Sequence, residues 1–207
     1  MNTHIALTIT QNIGIVNYGA GNIFSLKAAL DRLNLPFGMI NESQDFDNYT
    51  HIIIPGVGHA GAAMQKLIDT GLLPTIKALT KPVLGICVGM QLITNYSEEG
   101  DSEMTGIIPL NTLRFNTKLA KKVPHIGWNN INPEPNNKLF TGIANQTYFY
   151  FVHSYFIEYN PNFAIATCKY GCIFAAAIQK NNFYGVQFHP EKSGSAGEQL
   201  LQNFAHI

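Results

Sequence analysis

The chain contains 207 residues, 46% of them hydrophobic, which is enough for one domain with a core of its own. Lysine and arginine number 13, as do aspartate and glutamate, so the formal net charge is zero. This balance excludes a broad basic surface for nucleic acid and a polybasic membrane anchor. The three cysteines argue against a disulfide-built secreted domain and predict a cytoplasmic location. Neither a signal peptide nor an apolar run of roughly 18 residues, the length of a membrane span, is recognisable.

Short apolar runs alternate with helical patterns in the first half of the chain. Strands are predicted at residues 13–16, 37–40, 51–54 and 83–86. Helices are predicted at residues 23–33, 60–68 and 73–79, and a further helix begins at about residue 88. Strands separated by helices indicate parallel pairing with right-handed crossovers.

The second half, from Gly106 to about Phe188, is rich in β-branched and aromatic residues. Its pattern predicts strands at 147–159 and 183–188, a hairpin turn over Cys168–Cys172 and a closing helix at 197–205. We therefore expect an α/β fold with a mostly parallel central sheet and antiparallel strands added in the second half. A single domain is expected over residues 13–207, preceded by an N-terminal extension over residues 1–12.

A glycine-flanked cysteine follows the strand predicted at 83–86, in the segment Gly85-Ile-Cys-Val-Gly89. This pattern is typical of a nucleophile elbow, a tight strand-to-helix turn, with cysteine in place of serine. The glycines leave room for the turn, and the start of the next helix favours a thiolate and an oxyanion. We predict Cys87 as the nucleophile and the backbone N–H of Val88 as an oxyanion donor. The alternative is a cysteine that only packs, which is the usual fate of a free cysteine.

A base for this cysteine is predicted in the segment Gln187-Phe-His-Pro-Glu191. The proline after His189 favours an extended conformation, in which residues two apart project to the same side. Glu191 can then orient the imidazole ring of His189 and stabilise its cation. Without the cysteine elbow, a solvated strand end would be the better interpretation.

The loop Pro55-Gly-Val-Gly58 directly follows the strand predicted at 51–54. Its two glycines permit a close approach of backbones and positive φ angles. We predict that this loop offers a second oxyanion donor, the N–H of Val57, and that a peptide flip near Gly56–Val57 could switch it. A simple turn is the alternative.

These three segments, in this order, resemble those of the class I (triad-type) glutamine amidotransferases. Within that family, four further segments resemble the glutaminase subunits of imidazole glycerol phosphate synthases, enzymes of histidine biosynthesis. Those segments are Asn17–Asn22, Val123–Asn129, Tyr148–Tyr155 and His189–Ser193. The resemblance spans about Ile13 to Phe204 and implies a flavodoxin-like fold with helices on both faces of the sheet.

The resemblance also implies a reaction and its site residues. Cys87 would attack the side-chain amide of glutamine to give a γ-glutamyl thioester, His189 would transfer the protons, and Glu191 would hold His189. The positions that bind glutamine are matched by Gly58, Gln91, Glu99, His153, Ser154 and Tyr155. Among them, Glu99 would pair with the α-ammonium group. The positions at a subunit interface are matched by Asn22, Trp128, Tyr148 and Lys192.

The partner implied by the resemblance is a (β/α)₈-barrel cyclase subunit in a heterodimer. Ammonia would pass to it through a channel, and the cyclase would make imidazole glycerol phosphate and aminoimidazole carboxamide ribonucleotide. No metal, organic cofactor, nucleic acid or membrane partner is implied. Zinc at Cys168 and Cys172 is disfavoured because the sequence has no second ligand pair.

The sequence departs from the family pattern at its N-terminus, about ten residues longer than usual, at Val88, where leucine is usual, and at Ala60, where an aromatic residue is common. Two other functions stay open. One is a paralogous glutaminase that feeds a different synthase, such as an amidating enzyme of surface-sugar biosynthesis. The other is a catalytically silent regulatory module, against which the intact Cys87, His189 and Glu191 argue. A cysteine-elbow hydrolase or chaperone of the broader fold would usually lack the His-Pro-Glu segment.

Overall fold

The computed structural model describes residues 11–120 and 122–207, so most of the extension predicted at residues 1–12 lies outside the described residues. The strands are β1 Ile13–Val16, β2 Phe37–Ile40, β3 His51–Ile54, β4 Val83–Ile86, β5 Tyr96–Ser97, β6 Ser102–Glu103, β7 Asn111–Arg114, β8 His125–Pro133, β9 Thr147–His153, β10 Tyr155–Ile157, β11 Ala164–Tyr170, β12 Cys172–Lys180 and β13 Phe183–Val186. The α-helices are α1 Ile23–Arg32, α2 Ala60–Asp69, α3 Leu73–Lys77, α4 Val88–Leu92 and α5 Gly194–Ala205. Short 3₁₀ helices lie at Ser43–Asn48, Lys138–Phe140 and Pro190–Lys192.

The centre of the sheet is parallel, with the strand order β2-β1-β3-β4-β13. Every residue of β1, β3, β4 and β13 is buried, which is typical of parallel strands covered on both faces. The order runs from β1 in two directions, so right-handed crossovers put α1 on the opposite face from α2 and α3. Ligands of such sheets bind beyond the carboxyl ends of the strands, near this reversal.

Antiparallel strands extend the sheet, as the second half of the sequence predicts. Strand β12 pairs antiparallel with β13, β10 and β11. Strand β11 also pairs with β8, and β8 pairs along its length with β9. The sheet therefore carries a β8–β9 ribbon beside the parallel strands, and one face of this ribbon is open to solvent.

The bounds predicted for the first four strands match β1–β4 at both ends. The strand predicted at 147–159 is wrong as one element, because the chain bends at Ser154. Its first part, β9, pairs with β8, whereas its second part, β10, pairs with β7 and β12. The predicted strand at 183–188 ends at Val186, and the closing helix begins three residues earlier than predicted, at Gly194.

The hairpin predicted over Cys168–Cys172 is present, but its turn is shorter than predicted. Tyr170 pairs with Cys172, so only Gly171, at φ +71°, turns the chain. A glycine in the left-handed region permits this tight reversal, and the residues before it stay in the ladder. Cys168 therefore lies within β11 opposite Phe174, and burial raises the pKa of its thiol to about 12.

No helix within the described ranges has the length and the apolar character needed to cross a membrane.

Candidate active site

Cys87 sits at the turn between β4 and α4 with φ +54° and ψ −110°. A non-glycine residue in such a region costs on the order of 1–3 kcal/mol, and the surrounding backbone holds it there. The Cys87 N–H donates to the carbonyl of Val186 at 2.8 Å, which ties the turn to β13. A Cβ atom on Gly89 would lie 1.9 Å from the carbonyl oxygen of Ile54, and one on Gly85 would lie 2.5 Å from that of Gly89. The two glycines of the predicted elbow are therefore required, because a side chain at either position would collide with a neighbouring backbone carbonyl.

His189 and Glu191 form a buried pair behind the cysteine. The His189 Nδ1 and Glu191 Oε1 atoms are 2.8 Å apart, and the two side chains are only 2% and 3% exposed. Burial alone lowers the pKa of His189, but hydrogen bonding and charge from Cys87 and Glu191 outweigh it and raise this pKa to about 10. The imidazole is therefore held as a cation at neutral pH. Among the described residues its Nε2 atom has no partner with good hydrogen-bond geometry, as is common in catalytic pairs before a substrate binds.

Two residues absent from the sequence prediction fix the backbone of His189. Its N–H donates to the carbonyl of Tyr150 on β9 at 2.9 Å. The Ser193 hydroxyl donates to the carbonyl of His189 at 2.6 Å and accepts from the N–H of Tyr150 at 3.0 Å. Strand β9 therefore holds the base that follows β13.

The Pro55–Gly58 loop leaves β3 and packs on the start of α4. A Cβ atom on Gly56 would lie 2.3 Å from the backbone nitrogen of Gly89, so this contact requires glycine. Gly58 has φ +86°, in the left-handed region. The buried Tyr18 hydroxyl donates to the carbonyl of Pro55 at 2.5 Å. Burial, and then the nearby Cys87, raise the pKa of Tyr18 far above its ordinary value, so the hydroxyl stays a donor.

A cavity of about 300 Å³ opens where these elements meet. This volume is at the lower end of the range for small-molecule sites. It is lined by Val57, Gly58, Cys87, Val88, Gln91, Glu99, Pro124, Val152, His153, Ser154, Tyr155 and His189. The structure thus brings together the predicted nucleophile and base, both predicted oxyanion residues and all six predicted substrate-binding residues. Glu191 lies behind His189, outside the lining, and Pro124 and Val152 are lining residues that the sequence did not predict.

Glu99 supplies a carboxylate to the cavity wall. Its Oε2 atom accepts from the N–H of Ala60, the first residue of α2, at 2.7 Å. The start of a helix favours a negative charge, so the position suits an ionised carboxylate. A carboxylate in a small cavity is a suitable partner for an ammonium group.

Two buried histidines stand in one chain of hydrogen bonds behind the cavity. His153 Nδ1 lies 2.7 Å from the carbonyl of Tyr155, and an oxygen of this kind only accepts, so Nδ1 carries a proton. His153 Nε2, 2.9 Å from His125 Nδ1, must then accept from it. The side-chain amide of Asn129 donates to His125 Nε2 at 3.3 Å and to the carbonyl of Lys169 at 3.2 Å. Both rings are neutral, since burial lowers the pKa of His125 to about 4 and that of His153 to about 3.

Two buried glutamines lead from the cavity wall to the sulfur. Gln91 Nε2 donates to Gln187 Oε1 at 3.3 Å, and Gln187 Nε2 donates to Cys87 Sγ at 3.7 Å. Gln187 is a site residue that the sequence prediction missed. Its signal was present, because it lies two residues before His189 on an extended segment and so projects to the same side.

The four residues predicted at an interface lie on the β8–β9 ribbon and next to His189. Trp128 and Tyr148 are 55% and 57% exposed on the outer face of the β8–β9 ribbon. Lys192 is exposed, and its Nζ atom lies 5.9 Å from the centre of the Tyr150 ring. Asn22 caps α1 and lines a small cleft together with His189 and Glu191.

In chemical terms, the site joins a nucleophilic thiol, a protonated imidazole and a carboxylate at a cavity of amino-acid size. This arrangement can transfer an acyl group from a small amide or ester to water. Within the described ranges, no three His, Cys, Asp or Glu side chains are grouped to hold a metal ion.

Comparison with known proteins shows the family. The family model of the class-I glutamine amidotransferases matches residues 15–207. The chain is 47% identical over 194 residues to the imidazole glycerol phosphate synthase subunit HisH of Pasteurella multocida, covering 94% of this chain and 97% of that protein. It is 45% identical over 198 residues to the protein of the same name from Escherichia coli K12, covering 95% of this chain and all of that one.

Solved structures share the fold at low sequence identity. A putative GMP synthase protein from Thermoplasma acidophilum has a TM-score of 0.72 at 19% identity, covering 95% of this chain and 93% of that one. PurLQS from Thermotoga maritima has a TM-score of 0.72 at 17% identity, covering 96% and 99%. At these identities the likeness concerns the fold alone.

Proposed function

The chain belongs to the class-I glutamine amidotransferase family, and from this premise we propose that it is the glutaminase subunit of an imidazole glycerol phosphate synthase in histidine biosynthesis. It hydrolyses L-glutamine to glutamate and ammonia, and the ammonia serves a cyclase subunit. The observation that carries the proposal is the single cavity that joins Cys87 and His189 to the six residues predicted to bind glutamine.

The first half of the reaction forms a thioester. The Cys87 thiolate attacks the side-chain carbonyl carbon of glutamine, and the charge that develops on its oxygen is stabilised by backbone N–H groups of Val57 and Val88. The carbon–nitrogen bond then breaks, and the His189 imidazolium gives its proton to the departing nitrogen. Ammonia, a γ-glutamyl thioester and a neutral His189 result.

The second half returns the enzyme to its starting state. Neutral His189 takes a proton from water, the resulting hydroxide attacks the thioester, and the carbon–sulfur bond breaks. The γ-carboxylic acid that forms loses its proton to solvent and leaves as glutamate. The sulfur leaves as a thiolate beside a protonated His189. Glu191, 2.8 Å from His189 Nδ1, keeps the ring oriented and stabilises its cation in both halves.

Glutamine is recognised by its charged end as well as its amide. Glu99 faces the cavity with a carboxylate that pairs with the α-ammonium group. Gln91 offers a buried Oε1 atom without a partner among the described residues, which suits an N–H donor of the substrate. Gly58, Ser154 and Tyr155 complete the wall.

The cyclase docks, in this proposal, on the outer face of the β8–β9 ribbon. Ile126 pairs with Val152, and Trp128 pairs with Tyr150, so their side chains form one continuous surface. Ile126 and Trp128 are more than half exposed, and a patch of this kind is typical of a protein interface. Val152 also lines the cavity, so the face reaches the rim of the active site. Lys192 borders this face at Tyr150, and Asn22 lies in the cleft beside His189 and Glu191.

The test is glutamate release from glutamine by the purified chain, alone and with the cyclase plus its ribulosyl aminoimidazole carboxamide nucleotide. We expect strong stimulation by the cyclase and its ligand, lost in Cys87→Ala and kept in the control Cys172→Ala. Cys172 is a matched control because it lies on the β11–β12 hairpin, outside the cavity lining.

Two other outcomes would redirect the proposal. If the cyclase does not stimulate the reaction but an alkylating glutamine analogue still labels Cys87, the glutaminase assignment is retained. The partner is then a different synthase. If both stimulation and labelling are absent, the glutaminase assignment is contradicted and a silent module is favoured. The cytoplasmic location stays a prediction, to be tested by cell fractionation.

A further inference from the structure

The mechanism above uses only Gln91 of the buried amide chain from Gln91 through Gln187 to Cys87, although the chain ends on the reacting atom. We propose that Gln187 is a further catalytic residue, whose side-chain N–H stabilises the Cys87 thiolate, and that Gln91 holds the Gln187 amide in the orientation that does so. This inference rests on the proposed function, because the thiolate is the nucleophile of the glutaminase reaction.

The strand register places Gln187 beside the cysteine. Strand β13 pairs in parallel with β4, and Val186 lies opposite Ile86. The next residue of each strand is therefore Gln187 on one side and Cys87 on the other. The N–H of Cys87 donates to the carbonyl of Val186, which fixes the two turns against each other. The 3.7 Å contact between Gln187 Nε2 and Cys87 Sγ follows from this register.

With the Gln91 amide as it stands and a thiolate at Cys87, only one orientation of the Gln187 amide satisfies its neighbours. With Oε1 accepting from Gln91 Nε2, the amino group faces the sulfur and donates to it. A reversed amide would set its amino group against that of Gln91 and its carbonyl oxygen against the thiolate, and both contacts are repulsive. Gln187 is fully buried and Gln91 is 2% exposed, so water does not compete for these bonds.

The chain of amides has an open acceptor at its cavity end. Gln91 lines the cavity, and its Oε1 atom is buried and has no hydrogen-bond partner among the described residues. Leaving a buried acceptor unpaired is costly, so a substrate N–H is favoured there. A donor at this atom would polarise both amides in series and strengthen the N–H···S contact. Substrate binding and thiolate stabilisation are thereby linked.

Gln187 differs from His189, the other donor near the sulfur, because it is neutral and never exchanges a proton. The titratable groups around Cys87 are His189 with Glu191 behind it, Tyr18, and across the cavity His153 and Glu99. Of these only His189 carries a positive charge, and it surrenders its proton during each turnover. Gln187 supports the thiolate both before attack and when the thioester breaks.

The test follows alkylation of Cys87 by iodoacetamide from pH 5 to 10 in the full-length chain, because only the thiolate reacts appreciably. In Gln187→Met, of similar shape but without a donor, we expect the pH midpoint of alkylation to rise by about one unit. In Gln187→Glu the rise should be larger, and Gln91→Met should shift the midpoint in the same direction through the freed amide. The matched control is Gln179→Met, a partly buried glutamine on β12 that contacts Tyr184.

An unchanged midpoint in Gln187→Met and Gln187→Glu, with native circular dichroism, would overturn the inference. If Gln187→Met fails to fold, an unchanged midpoint in Gln91→Met would overturn it instead. Alkylation requires neither glutamine nor the cyclase, so the result is independent of the proposed function. Absence of glutamate release by the wild-type chain with its cyclase would contradict the function and not the thiolate contact.

Discussion

Acid should destabilise the fold through the neutral histidines His125 and His153. Burial lowers the pKa of His125 to about 4, and burial, together with the nearby His125 and His189, lowers that of His153 to about 3. Both side chains are also buried by their exposed fractions, 3% and 6%. Below the ordinary histidine pKa of about 6.5, these two histidines take up protons in the unfolded chain but stay neutral in the folded chain. The stability is therefore complete above about pH 6.5 and falls as the pH drops toward 4.

The magnitude follows from proton linkage. Between pH 6 and pH 5, each of these histidines should remove about 1 kcal/mol from the free energy of unfolding. His189 works in the opposite sense, because its pKa is raised to about 10, but its contribution is nearly constant below pH 6.5. His51, whose pKa burial also lowers, adds to the loss and is common to all variants compared.

The assay is urea unfolding at pH 6 and pH 5 for the wild type and His125→Gln. Glutamine can still donate to His153 Nε2 but does not titrate, so the variant should lose about 1 kcal/mol less than the wild type over this interval. Equal losses in the wild type and His125→Gln would refute the reasoning, since His125 would then titrate alike in the folded and unfolded chain.

Three further predictions concern the triad, the elbow and the docking face. In Glu191→Gln the pKa of His189 should fall by about 1–3 units, because a charge partner is lost, and the alkaline limit of glutamate release should move down with it in a pH–rate profile. Gly89→Ala should lose about 1–3 kcal/mol of stability in urea unfolding, because its Cβ atom would meet the carbonyl oxygen of Ile54. An unfolding midpoint equal to that of the wild type would contradict this close approach. Trp128→Ala should weaken binding of the cyclase by about 2 kcal/mol in calorimetry while the unstimulated glutaminase rate stays unchanged, and wild-type affinity would remove this residue from the interface.

The conformation of Cys87 depends both on the local sequence and on packing against a distant strand. The elbow is visible in the sequence because two glycines flank Cys87, and the structure gives the reason, since side chains at both positions would meet backbone atoms. One of those atoms belongs to Ile54, on the neighbouring strand β3. The sequence therefore carries the signature of a contact whose other member it does not identify.

Strands β1, β3 and β4 could be predicted to the residue because each is a short, largely apolar run, as parallel strands buried on both faces require. The edge strand β2 was predicted with the same bounds, although only Ile40 in it is buried. Three site motifs could also be recognised from short stretches of sequence: the elbow, the His-Pro-Glu segment and the glycine loop. Their residue types indicate the chemistry of each motif. Their common cavity was implied only by a family resemblance, because nothing in the local pattern says that β13 lies next to β4.

The tertiary structure alone decided which distant side chains meet. Gln187 reaches Cys87 because Val186 pairs with Ile86, and the pairing of His125 with His153 depends on the register of β8 and β9. The turn of the hairpin at Gly171 is shorter than predicted for the same reason, since pairing across it, and not composition, sets the length of the turn. Hydrophobic periodicity fixes which residues face inward, whereas strand order and register choose their neighbours, and these depend on the free energy of the whole fold.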